Sequence, residues 1–209
     1  VASDRDIKDE YGTSVSISGN YAVVGAPKAD HPLFGALVQS GAAYIYEKTP
    51  SGTWNQVQKI QPAVPSDQER GFGHAVSISG DYVLIGCPKA LLDASGGNSI
   101  SLAGAAFIFK RNSFGIWHEV QKIVASDRAL DDYFGTSVAI SGSRAIIGAY
   151  WEDEDEYGGN TKDYAGSAYI FEENGGTWSE VQKIVASDRE PTDKFGWSVS
   201  IEQDIALVG

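Results

Sequence analysis

Hydrophobic and polar positions alternate along this chain in short runs, and the runs return at a fixed interval. Val138 and Ile140 alternate with Ser137, Ala139 and Ser141, a period of two that predicts a strand with one apolar face. The second face carries only small residues, which suits a strand beside a crowded axis. Ser141-Gly142-Ser143-Arg144 predicts a tight turn. Ala145-Ile146-Ile147-Gly148-Ala149 is a continuous apolar run, the pattern of a strand buried on both faces. A long polar stretch, Trp151 to Ala165, precedes a third strand, Gly166 to Glu172, in which Tyr169 and Phe171 share a face. Asn174-Gly175-Gly176 predicts a hairpin, and Thr177 to Ile184 a fourth strand. The polar alternation of that strand, with Lys183, suits an outer edge that discourages pairing with other chains.

The same order of elements recurs. Tyr11-Gly12, Phe72-Gly73, Phe134-Gly135 and Phe195-Gly196 each open a Ser/Ala-Val-x-Ile segment, at spacings of 61, 62 and 61 residues. Tyr44 with Tyr46 and Phe107 with Phe109 repeat the paired aromatics, which predicts packing between neighbouring sheets. Trp54, Trp117 and Trp178 share one repeat position, each before Val-Gln-Lys-Ile, and are expected to pack between blades. The pattern therefore predicts an all-β protein, a β-propeller of four-stranded antiparallel blades. The repeats run at about 1–61, 62–123 and 124–184, with a partial one at 185–209, or about 3.5 blades in one segment spanning 1–209. No helical pattern and no linker interrupts them.

Composition narrows the role. The net charge is −12, which argues against nucleic acid as a partner, because phosphate binding needs a basic surface. No apolar run approaches the roughly 20 residues of a membrane span. The chain contains no Met, as expected of a processed chain or a piece of a longer one. Cys87 is the only cysteine and stands where other repeats have Ala26 and Ala149, so it reads as a small buried residue.

The segments Tyr11-Gly12 to Gly25-Ala26-Pro27, Phe72-Gly73 to Gly86-Cys87-Pro88, and Phe134-Gly135 to Gly148-Ala149-Tyr150 resemble FG-GAP repeats. These are the blades of the integrin α-subunit propeller and of many extracellular proteins. The resemblance covers essentially the whole chain. It implies a propeller, usually of seven blades, usually extracellular and used for binding or adhesion. This chain would supply part of such a ring, completed by a missing segment of the same protein or by an additional chain. In two respects the sequence departs from the family. The family's calcium loops, between first and second strands, are replaced by Ser18-Gly19-Asn20-Tyr21 and its equivalents, too poor in oxygen ligands for a site of six to eight donors. The chain is also about half the length that seven such blades need.

In a meander blade the loops after strands two and four share one face. The loops after strand two are long: Lys28 to Ser40, Lys89 to Ala103 and Trp151 to Ala165. Long loops on a rigid scaffold are where binding concentrates. The third contains Glu152-Asp153-Glu154-Asp155-Glu156, five consecutive acids. They read either as a solvated loop, as a basic protein's docking point, or, with Asn160 and Asp163, as a Ca²⁺ site. Tyr150, Trp151 and Tyr157 flank them as candidate ligand-stacking residues, against a plainer role in packing the loop stem. Ala-Ser-Asp-Arg recurs at 2–5, 125–128 and 186–189, followed by Asp9, Asp132 and Asp193. It reads as architectural, with Asp capping backbone amides and Arg pairing with a carboxylate.

For catalysis the sequence offers little. His31, His74 and His118 fall at unrelated repeat positions, and no nucleophile, phosphate-loop or metalloprotease motif occurs. The expectation is a non-enzymatic extracellular binding, adhesion or structural module that engages protein or glycan through the long-loop face. The alternatives are an accessory propeller of a carbohydrate-active or other hydrolytic protein, and an architectural repeat of a surface assembly.

Overall fold

Among the described residues of the computed structural model (2, 4, 6, 8–30, 40–62 and 68–209) every regular element is a β-strand. The first antiparallel meander is β1 (Val15–Ser18), β2 (Tyr21–Ala26), β3 (Ala42–Lys48) and β4 (Trp54–Ile60). A two-residue strand, β5 (Glu69–Arg70), leads into the second meander: β6 (Ala75–Ser79), β7 (Tyr82–Cys87), β9 (Ala105–Arg111) and β10 (Trp117–Ile123). The short β8 (Lys89–Ala90) pairs back onto β5. The third comprises β11 (Ser137–Ser141), β12 (Arg144–Ala149), β13 (Ser167–Asn174) and β14 (Thr177–Ile184). β15 (Val199–Glu202) and β16 (Ile205–Val208) form the inner hairpin of a fourth blade. The architecture is therefore the predicted one, three complete blades and an inner hairpin.

Each blade buries its faces only against the next. Val23, Ala43 and Ile45 of the first blade share a core with Val76, Ile78, Phe107 and Phe109 of the second. Leu84 and Ile108 of the second do the same with Val138, Ile140 and Phe171 of the third. Two alternating apolar faces per strand let one sheet serve two cores, which is why the inner runs are continuous rather than alternating. The aromatic that opens each repeat braces this core. Phe72 meets Phe107 and Phe109 edge-on at 5.2 and 6.0 Å, and Phe134 meets Tyr169 and Phe171 at 5.4 and 6.1 Å.

The small residues of the innermost strands are hydrogen-bond acceptors as well as spacers. An edge strand carries backbone N–H groups that its own sheet cannot satisfy. Val76, Ile78 and Gly80 donate theirs to the hydroxyls of Ser14, Ser16 and Ser18 on the preceding blade, at 3.0–3.2 Å. Ile140 and Gly142 donate to Ser77 and Ser79, and Gln203 donates to Ser141, at 3.0–3.1 Å. At the outer end, the Gln58 amide bonds both the carbonyl and the N–H of Trp117, and Gln121 does the same to Trp178. Trp117 packs edge-on against Tyr21 and Trp178 against Tyr82, at 5.8 and 5.4 Å.

The Phe-Gly pair closes the junction. Gly41 bridges in parallel to Phe72, Gly104 to Phe134 and Gly166 to Phe195. A Cβ on Gly86 would collide with the Gly135 carbonyl oxygen of the following blade. Gly135 itself holds φ +92, and a side chain there would meet the Ala105 carbonyl.

Four expectations are corrected. Trp54 is 37% exposed, because among the described residues no preceding blade lies against it as the first blade lies against Trp117. The lysines of Val-Gln-Lys-Ile point back into their own blade rather than guarding an edge. Lys59 pairs with Asp4, Lys122 with Glu69, and Lys183 with both Asp127 and Glu152, at 2.6–2.8 Å. Asp127 therefore receives a lysine and the Tyr169 hydroxyl rather than backbone amides. The amide caps are Asp9, Asp132 and Asp193, which accept from the third residue before each. The arginines bind carbonyls, not carboxylates. Arg128 donates to Leu91 and Asn98, and Arg189 to Asp153 and Asn160, stapling each linker to the preceding blade's long loop. Ser66-Asp67, His31 and most of the loop from Lys28 to Ser40 lie outside the described residues.

Two substitutions separate these contributions. Gly86→Ala forces backbone apart at a junction and is expected to cost about 3 kcal/mol. Ser77→Ala removes one acceptor and is expected to cost about 1 kcal/mol. Urea midpoints of both variants measure this, and a Ser77→Ala loss as large as that of Gly86→Ala would contradict the ranking.

Candidate functional site

The acidic run does not present five free carboxylates. Glu152 is 3% exposed and accepts from the Ser167 hydroxyl at 2.5 Å and from the Glu154 amide at 2.8 Å. It also pairs with Lys183 at 2.8 Å. Asp153 accepts from the Tyr164 amide at 2.6 Å. Asp155 accepts from the amides of Tyr157 and Gly159, shaping a turn. Asp93 shapes the same turn in the second blade through Ser95 and Gly97, so this part of the run is a repeat feature.

Carboxylate oxygens do converge nearby, from Asp127, Glu152 and Glu154, all within 4.8 Å of one another. The Lys183 ammonium is bound to two of the three. Burial would lower its pKa, but hydrogen bonds to Asp127 and Glu152 reverse that and hold it charged. Asn160 and Asp163 are not members of this group; Asn160 gives its carbonyl to Arg189, and Asp163 gives its carbonyl to the Thr192 amide. The turns between first and second strands are tight. Ser18 pairs with Tyr21, Ser79 with Tyr82, Ser141 with Arg144 and Glu202 with Ile205, leaving two residues in each turn. Two residues cannot wrap a cation that takes six to eight oxygens.

The aromatic residues behave differently. Tyr150 and Trp151 stand at the heart of a five-ring cluster with Tyr133, Tyr164 and Trp197. Trp151 lies 4.9 Å from both Tyr133 and Tyr164, and 5.6 Å from Tyr150. Tyr150 lies 5.7 Å from Tyr133 and 4.8 Å from Trp197. Tyr157 is apart from them, 88% exposed, on a surface cleft with Ser126, Asp127 and Glu180.

Two kinds of segment build the cluster. Tyr150, Trp151 and Tyr164 come from the stem of the long loop between β12 and β13. Tyr133 and Trp197 come from the connections that lead into β11 and β15. The bridge from Gly166 to Phe195 sews these segments together, so they share one face of the blades. Trp197 is 57% exposed and Tyr164 41%. Burial raises the pKa of the Tyr133 and Tyr150 hydroxyls, which keeps them protonated.

Sequence reasoning singled out Tyr150 and Trp151 because they border the acids, and missed Tyr133, Tyr164 and Trp197. The missed signal is departure from the repeat. Tyr133 stands where other repeats have Glu10 and Gly71, and Trp197 where they have Thr13, His74 and Thr136. Tyr150 replaces Pro27 and Pro88, and Trp151 replaces Lys28 and Lys89. What recurs from blade to blade holds blades together; among the described residues this cluster occurs at one junction.

A family model described as FG-GAP repeat matches residues 1–46, 54–109, 117–171 and 178–209. Its later units begin with the fourth strand of one blade and run into the next, so the sequence repeat straddles the junctions described above. No curated protein matches the chain. No described helix is long and apolar enough to cross a membrane.

Beside the cluster, Asp132 is buried near Glu152 and Asp127. Burial, above all, lifts its pKa from 3.8 to about 7. Between those values the folded chain holds a proton that the unfolded chain has lost, so stability falls as pH rises through this window. Asp132→Asn keeps an oxygen for the Ala129 amide and carries no charge. Its stability advantage over the parent is expected to be about 2 kcal/mol larger at pH 8 than at pH 5. Urea midpoints at both pH values check this; an equal advantage at the two would assign the burial cost elsewhere.

Proposed function

This chain belongs to the FG-GAP repeat family, and from that premise we propose that it is a binding module acting outside the cell. It engages its ligand through the long-loop face at the junction of the third and fourth blades. The observation that carries this reading is the aromatic cluster, which among the described residues occurs at one junction, on the face where the long loops gather. Rings at non-repeating positions serve no packing role that the described parts of the other junctions share.

FG-GAP repeats form a generally non-catalytic module. The buried acids near the cluster have defined structural partners. Glu152 and Asp127 neutralise Lys183, and Asp132 caps Ala129. The reading therefore assigns binding to the rings and stability to the acids. For Ca²⁺, the proposal keeps only the outer oxygens of the 152–163 loop as candidates, namely Glu154, Glu156 and Asp163. Titration of the chain with calcium tests that part on its own.

The experiment compares the parent with Tyr150→Ala/Trp151→Ala on combined arrays of extracellular proteins and glycans. Trp54→Ala, an exposed tryptophan away from the face, serves as control. The expected outcome is a ligand bound by the parent and the control and lost by at least tenfold in the double variant. Near-ultraviolet circular dichroism shows whether the blades remain packed. A ligand bound equally by a folded double variant would move the binding surface elsewhere.

A further inference from the structure

We propose that the turn from Ala129 to Tyr133 is a pH-sensitive latch on the aromatic cluster, closed while Asp132 keeps its proton and released when that proton leaves. The latch acts on the rings themselves, with or without a ligand. Asp132 is 4% exposed and accepts from the Ala129 amide at 2.5 Å. It feels Asp127 of its own linker, Glu152 of the long loop, Tyr169 of β13 and Lys183 of β14. Tyr169 donates its hydroxyl to Asp127 and is kept protonated by burial. The Lys183 ammonium is bound to Asp127 and Glu152, while Arg128 is turned to the carbonyls of Leu91 and Asn98. Three carboxyl groups therefore share the Lys183 ammonium. The other blades show where the excess arises. In the first, Lys59 meets Asp4, Asp9 holds the place of Asp132, and Ala29 stands where the third blade has Glu152. In the second, Lys122 meets Glu69, Arg70 holds the place of Asp132, and Ala90 that of Glu152. Glu152 thus adds a buried acid, and a proton on Asp132 offsets it. Burial, reinforced by the charges of Glu152 and Asp127, keeps that proton in place up to about pH 7, although the Ala129 amide favours the carboxylate.

The backbone on both sides of Asp132 is strained. Asp131 holds φ +65° and Tyr133 φ +56°, left-handed values that residues with a Cβ seldom adopt. Such a turn persists while its contacts hold it. Those contacts are the Asp132 cap on Ala129 and the amides of Asp131 and Tyr133, which donate to the carbonyls of Ser101 and Leu102 at 3.1 and 2.9 Å. A carboxylate formed at Asp132 is drawn away from Glu152 and Asp127 toward water, and its short side chain carries the backbone with it. Tyr133 is the next residue. Its ring lies 4.9 Å from Trp151 and 5.7 Å from Tyr150, so the loss of one proton reaches the cluster through one peptide bond.

The test follows the indole N–H resonance of Trp151, assigned with Trp151→Phe, in nitrogen–proton correlation spectra of the whole chain across neutral pH. That N–H is buried without a hydrogen-bond partner, so its shift reports the rings around it. The parent is expected to show a change with its midpoint near pH 7. Asp132→Asn carries no charge at any of these pH values and should hold the resonance at its acid position throughout. Glu152→Gln removes the added acid and should lower the midpoint to about pH 6. A Trp151 resonance that does not move in the parent overturns the proposal. The same midpoint in Asp132→Asn also overturns it, by assigning the change to another group. Should Asp132→Asn fail to fold, Glu152→Gln decides: a lowered midpoint supports the latch, and an unmoved one overturns it.

Discussion

The innermost strand of each blade sets the terms for everything outside it. It is an edge strand in a crowded place, with one row of backbone N–H groups facing the neighbouring blade and no strand there to receive them. Serine answers this with the smallest side chain that still offers an acceptor. Ser14, Ser16 and Ser18 serve the second blade, Ser77 and Ser79 the third, and Ser141 the fourth. Where alanine stands instead, at Ala75 and Ala139, the spacing is kept and the bond is lost. The ladder thus tolerates gaps but not bulk. Close approach at the axis then forces glycine at the junction, where Gly86 lies against the Gly135 carbonyl.

From that constraint the outer layers follow. Blades brought close at the axis splay outward, and larger side chains fill the widening gap. Valine and isoleucine come first, then the opening phenylalanine with its pair on the third strand, and finally the tryptophan of the fourth strand against a tyrosine of the preceding blade. Gln58 and Gln121 finish the outer end as the serines finish the inner one. A β-propeller junction is here a graded wedge, polar and small at the axis, aromatic and amide-linked at the rim.

Most of this was legible in the chain, because each requirement is met by a residue type at a repeating position. Strand order, blade count and the paired aromatics all follow from period and spacing. What periodicity could not show was the partner across a junction. Lys183 reads as an edge lysine from its own strand, yet its ammonium reaches back to Asp127, 56 residues earlier, and to Glu152. Arg128 and Arg189 read as partners for acids, yet the carbonyls of the preceding long loops lie nearer. Trp54 has the repeat position of a buried residue and lacks only the neighbour. In each case the sequence names the group and the fold chooses what it meets.

The same distinction bears on function. A propeller repeats its architecture, so residues that recur are spent on holding blades together, and a ligand site must be built from what does not recur. By that criterion the acidic run divides. Asp155 repeats the turn of Asp93, and Glu152, with Asp127, receives the lysine of its own fourth strand, as Asp4 and Glu69 do in theirs. Among the described residues, the rings of Tyr133, Tyr150, Trp151, Tyr164 and Trp197 have no counterpart at the other junctions. At four of these positions the other repeats carry Glu10 or Gly71, Pro27 or Pro88, Lys28 or Lys89, and Thr13, His74 or Thr136. The shared packing of the blades does not call for these rings, and the proposed ligand recognition would account for them.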